Sequence, residues 1–219
     1  MTLLPRVRRS VVGKAFACGR RGFLTFPAGL GQQPSRQRFE DSQVFPYTRE
    51  QIFDLVADID RYREYVPLCT ESVVLHNTWR TEKGSTHESA KQAAVVERRS
   101  VRAELAVGYP PFHERYTSDV VLERPWRITA TADRSDGMFT YMRTVWNFAH
   151  APEGAFKPPL GTTVQNGGDG TAAHTLVCFS IEYEFANALH AHAASLVFNK
   201  MARSNMAAYL ARSHTLYGA

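Results

Sequence analysis

Cysteine is scarce. Cys18, Cys69 and Cys178 are the three in the chain, and none stands in a CxxC pair. That pattern supports neither a disulfide framework nor a zinc site, and it fits a reducing compartment. Long apolar runs are missing too. No stretch approaches the ~20 residues needed to span a bilayer, so membrane contact is expected to be peripheral. A phosphate-cradling loop is also lacking. Gly167-Gly168-Asp169-Gly170 has no following Lys-Ser/Thr and opens no helix. His190 and His192, two apart on an expected helix, point to different sides and do not share a metal. Cys69 has no recognisable His/Asn arrangement around it and reads as a half-buried structural thiol. His113 beside Glu114 reads as a capping or exposed pair.

Acidic residues are absent from the first 38 positions, which hold Arg6, Arg8, Arg9, Lys14, Arg20, Arg21, Arg36 and Arg38. The formal charge of +5 is therefore uneven: the start carries +8, and the rest has 18 basic residues against 21 acidic ones. The folded body is slightly acidic, which gives no support to nucleic-acid binding. An Arg-rich, acid-free start has the composition of a mitochondrial transit segment, which the inner-membrane potential draws inward. Residues 1–38 are read as that segment, disordered or removed, and 39–219 as one folded domain.

The pattern beyond it is informative. Ser42–Tyr47 reads as a short strand. Thr48, three residues before Gln51, forms a capping-box pattern. Ile52, Leu55, Val56 and Ile59 then give one apolar helical face. Asp60 is placed as the cap of a second short helix that ends near Tyr65, before Pro67. Strands are expected over Glu71–Asn77, Val101–Tyr109, Arg115–Leu122, Arg127–Asp133, Met138–Phe148 and Thr175–Phe185, several alternating cleanly. Asp136-Gly137 supplies a hairpin turn. From Ala186 to Arg212 there is no Gly or Pro, and one long helix is expected, with Leu189, Ala193, Leu196, Val197 and Met201 as its apolar stripe. Residues 80–99 and 151–174 read as inserts, the first with a possible helix over Glu88–Arg99, the second Gly- and Pro-rich. The order predicts an α+β fold: a curved antiparallel sheet wrapped around a long C-terminal helix, with two short helices after the first strand. Such a wrap leaves a wedge between sheet and helix, and apolar groups that fail to fill it would line a lipid pocket.

One segment is specific. Glu104-Leu105-Ala106-Val107-Gly108-Tyr109, a short loop, then Glu114-Arg115-Tyr116-Thr117-Ser118 resembles the signature of the coenzyme Q-binding proteins of the START superfamily, with Tyr109 where Phe is usual. Tyr62-Arg63-Glu64-Tyr65-Val66-Pro67-Leu68-Cys69 is similar to that family's turn, Trp146-Asn147-Phe148 to its Trp-x-Phe strand, and Phe185, Leu189 and Leu216-Tyr217-Gly218 to its terminal-helix region. The four pieces keep their order over about residues 42–150 and 175–218. The two inserts have no counterpart.

The resemblance implies a START-like helix-grip fold that binds coenzyme Q (ubiquinone) or a related polyprenyl quinone, with no catalytic cofactor and no covalent chemistry. It implies a carrier or chaperone role at the matrix side of the mitochondrial inner membrane, serving respiration or quinone synthesis. Burying ~0.8 kcal/mol per CH₂ would supply the affinity. The expected pocket residues are Leu105, Val107, Tyr116, Trp146, Phe148, Phe179, Tyr183, Leu189, Val197 and Met201, with Val66, Pro67 and Leu68 at the mouth. Leu68, Tyr109 and Phe112 are the expected membrane-docking residues. Two other readings stay open: an interaction subunit, of a respiratory or ribosomal assembly, and a cyclase-like enzyme.

Overall fold

The computed structural model describes residues 36–86, 95–109, 112–134, 139–152, 174–186 and 188–218. The chain opens with strand β1 (Gln37–Phe45), which begins before the expected Ser42 and pairs antiparallel with the last strand. Helix α1 (Arg49–Ala57) follows. Its capping box forms as the sequence requires: the Gln51 amide donates to Thr48 Oγ1 at 3.2 Å, and the Thr48 amide donates to Gln51 Oε1 at 2.9 Å. A single 3₁₀ turn (Ile59–Arg61) leads into the short α2 (Tyr62–Tyr65).

Asp60 does not cap α2. Its carboxylate instead accepts the Val74 amide at 2.6 Å and so fastens the turn to the following strand. Spacing alone could not distinguish a local cap from a partner 14 residues away.

Six more strands complete the sheet: β2 (Cys69–Thr86), β3 (Val95–Tyr109), β4 (Phe112–Arg124), β5 (Arg127–Ala132), β6 (Phe139–His150) and β7 (Thr175–Phe185). All pairings are antiparallel, in the order β1-β7-β6-β5-β4-β3-β2. The described part of the first insert lengthens the β2–β3 hairpin; Val95–Arg99, assigned to a possible helix, is strand. A strand edge extends that pairing at lower cost than a charged helix with no face to bury. Residues 87–94, most of the 151–174 insert and the Asp136-Gly137 turn lie outside the described residues.

Helix α3 (Ala188–Tyr217) runs past the expected Arg212 and stops where Gly218 adopts a left-handed φ of 85°. Its end is anchored at both short helices. Tyr217 Oη donates to the Gln51 carbonyl at 3.0 Å, and Arg212 pairs with Glu64 at 2.7 Å. Met201, Met206, Tyr209 and Ser213 are buried against the sheet, and the core they join includes Phe45, Ile52, Val56, Phe148, Val177 and Phe185. Among the described residues, no helix is long and apolar enough to cross a membrane. The structure is the helix-grip α+β fold expected from the order of elements.

Candidate functional site

Strand alternation puts Leu105 and Val107 of β3, Tyr116, Ser118 and Val120 of β4, Met142, Thr144 and Trp146 of β6, and Phe179 and Ile181 of β7 on the concave face. Helix α3 contributes Met201, Asn205 and Tyr209, spaced by four and hence on one stripe. Register explains why the two layers do not close completely. Ala103, Ser118 and Ala132 lie opposite one another across β3, β4 and β5, and Ala130 lies opposite Thr144. These small side chains cannot reach the helix. The space left is a partly open cavity of about 100 Å³.

Its walls are largely apolar and aromatic. Trp146 meets Phe179 at 4.5 Å between ring centroids and Tyr209 at 4.7 Å. Tyr209 also touches Tyr62 and Tyr65 edge-on at 5.7 and 5.3 Å. Loss of solvent raises the hydroxyl pKa of Tyr62, Tyr65, Tyr116 and Tyr209, and burial pushes Tyr183 up to about 12. Burial likewise raises the Cys69 thiol, whose Sγ donates to the Glu71 carbonyl at 3.3 Å. A thiol so placed stays protonated and unreactive. Two polar atoms of the lining stand apart from the rest. Ser118 Oγ and Asn205 Oδ1 are buried and find no hydrogen-bond partner among the described residues.

Of the residues singled out in the sequence, Val66, Leu105, Val107, Tyr116, Trp146, Phe179 and Met201 line this cavity. Phe148 and Tyr183 are buried in the adjoining core, with Tyr183 Oη donating to Gln37 Oε1 at 2.9 Å. Pro67 and Leu68 form the turn next to Val66, where Leu68 takes a left-handed φ of 63°. The Leu68 carbonyl accepts the Gly108 amide at 2.9 Å, so this turn abuts the β3–β4 hairpin that carries Tyr109 and Phe112. Glycine is needed there: a Cβ at 108 would come within 2.7 Å of the His113 ring and 2.8 Å of the Thr70 methyl. The side chains of Tyr109, Phe112, Leu189 and Val197 lie outside the described residues.

Sequence reasoning missed Ser118, Asn205, Tyr62 and Tyr209. The alternation that selected Tyr116 also reaches Ser118, and the i+4 step from Met201 reaches Asn205. Neither carries a signal of its own, because polarity on a core face does not distinguish a pocket group from a satisfied core residue. A larger surface hollow of about 260 Å³ lies beside α1, lined by Phe53, Asp54, Trp79, Glu97, Arg99 and Arg124. Its charges are spent on one another, Arg124 gripping Asp54 at 3.0 and 2.8 Å, and it contains none of the expected site residues. No group of three or more metal-ligating side chains occurs among the described residues.

The model of the polyketide cyclase / dehydrase and lipid transport family matches residues 45–209. The chain belongs to this family. Among its relatives is the mitochondrial coenzyme Q-binding protein COQ10 homolog B of Xenopus laevis, 30% identical over 90% of this chain and 66% of that protein. The chain thus spans a little under two thirds of that relative's length. The ribosome association toxin RatA of Pseudomonas aeruginosa is 27% identical over 81% of this chain and 95% of its own. The fold also matches the Zhui aromatase/cyclase of a Streptomyces species, with a TM-score of 0.55 at 13% identity over 82% of this chain and 94% of that one. Family and fold therefore agree with the START-type kinship read from the signature segment. The cavity lies inside the matched span, its lining running from Ile59 to Tyr209.

Proposed function

We propose that the chain binds coenzyme Q, or a related polyprenyl quinone, between its sheet and α3, and acts as a carrier or chaperone for it. The observation that carries this reading is the cavity. Seven of the residues expected for a quinone pocket meet on its walls, and those walls are mainly apolar and aromatic. The coenzyme Q-binding relative supports the choice of ligand, and its mitochondrial name together with the Arg-rich start supports a mitochondrial location.

Size sets the mode of binding. Typical ligand pockets hold roughly 300–1,000 Å³. A cavity of about 100 Å³ takes only part of a substituted ring. Seating ring and tail requires α3 to move away from the sheet, with entry by the Val66–Leu68 turn, where Leu68, Tyr109 and Phe112 would rest on the matrix face of the inner membrane. The role is non-enzymatic in this reading. Its titratable wall residues are tyrosines and one cysteine with raised pKa, which are poor acids and bases near neutral pH.

The test is extraction of the purified full chain with organic solvent and mass spectrometry of the extract. A stoichiometric polyprenyl quinone is expected. A folded protein free of lipid, from a host that makes such quinones, contradicts the proposal.

A further inference from the structure

We infer that Ser118 and Asn205 are the contacts that hold the polar end of the ligand, a ring bearing a carbonyl. This rests on the lipid-binding reading above and deepens it. Ser118 sits mid-strand on β4, 2% exposed, on the face that packs toward α3. Its cross-strand neighbours Ala103 and Ala132 are too short to cover its hydroxyl and carry no polar side-chain atom to satisfy it. Asn205 comes from the helix side, on the stripe between Met201 and Tyr209, and its Oδ1 is buried. The two unpartnered groups thus come from the two layers that enclose one cavity.

A buried hydroxyl or amide without a partner is costly, and native cores rarely keep one idle. Alanine at 118 and leucine at 205 would fill the same places without that cost. The polar atoms are therefore explained by something that enters the cavity and bonds to them. Water can stand in, because the space is roomy enough to hold it and offers polar partners. A carbonyl-bearing ring would displace them and accept from the Ser118 hydroxyl. Asn205 adds versatility, because turning its amide offers either an N–H donor or a carbonyl acceptor. The site can then serve a ring carbonyl or, after reduction, a ring hydroxyl. The apolar walls contribute affinity for any greasy molecule; these two groups discriminate a quinone from a hydrocarbon of the same shape.

The experiment uses the full chain, its Ser118→Ala and Asn205→Leu variants, and two probes: a benzoquinone carrying one isoprenoid unit, and a benzene ring carrying the same unit. Both variants should melt at or above the wild-type temperature, since Ser118 Oγ and Asn205 Oδ1 are buried without a protein partner among the described residues. Each should weaken quinone binding roughly three- to tenfold, the scale of one hydrogen bond, while the hydrocarbon binds unchanged or tighter. If wild type binds both probes and the variants bind the quinone as well as it does, or lose both probes equally, the inference is overturned alone. If wild type binds neither probe, the lipid-binding reading fails and takes this inference with it.

Discussion

Trp146 on β6 and Tyr209 on α3 meet with ring centroids 4.7 Å apart and planes at 61°. It is one of the contacts through which the sheet grips the helix at the cavity wall. Trp146 is 6% exposed and also packs on Phe179. Trp146→Ala should destabilise the fold by about 3–5 kcal/mol, the usual cost of removing a large aromatic from a core. Urea denaturation measures it. A loss under 1 kcal/mol would mean that sheet and helix are not closed through this contact.

Leu105 lines the cavity yet is only partly buried, so it can be changed without opening the core. Leu105→Arg is expected to abolish co-purifying lipid while the melting temperature stays close to wild type. A folded variant that keeps its lipid removes Leu105 from the pocket.

Two side-chain bonds fasten the helical segment that leads to Val66: Thr48 caps α1, and Asp60 accepts the Val74 amide of β2. Thr48→Ala should cost about 1 kcal/mol. Asp60→Ala should cost about the same, because this carboxylate stays open to water. Asp60→Asn keeps an acceptor and should recover most of the second loss. Chemical denaturation of the three variants gives the comparison, and an Asn variant as weak as the Ala variant would show that the Val74 bond is not the cause.

The buried tyrosines make stability depend on alkaline pH. Folding raises the hydroxyl pKa of Tyr62, Tyr65, Tyr116 and Tyr209, and that of Tyr183 to about 12, from the ordinary value of 10. The unfolded chain therefore releases these protons first as pH rises. Stability is held below pH 10 and lost above it, for Tyr183 progressively up to about pH 12. Phenolate absorbance should rise late and together with unfolding. Early, independent titration of these five in the folded protein would contradict their burial.

Much of this was legible in the sequence. The Thr48–Gln51 capping box, the alternation over Val101–Tyr109 and Thr175–Phe185, and the Gly-free terminal stretch each encode a local preference that the fold keeps. Three features were not legible because they depend on distant partners. Asp60 bonds to a strand that spacing does not reveal. Val95–Arg99 follows the β2–β3 pairing instead of its charged composition. A pocket between sheet and helix was expected, but its place and size come from Ala103, Ser118, Ala130 and Ala132 lying opposite small or modest neighbours, which is a property of register between strands. The two polar atoms in its wall needed the structure for the same reason.

A quinone lodged between the sheet and α3 would be reported by Trp146. Of the three tryptophans, Trp79 and Trp126 can each be changed to Phe, leaving Trp146 as the sole indole on the cavity wall. Quinones quench indole emission on contact. Titrating that variant with the short-tailed benzoquinone should give saturable quenching at one molecule per chain, and Leu105→Arg in the same background should abolish it. Quenching that rises without saturating, equally in both proteins, would mean the quinone meets the surface only and that the cavity is a packing defect in a filled core.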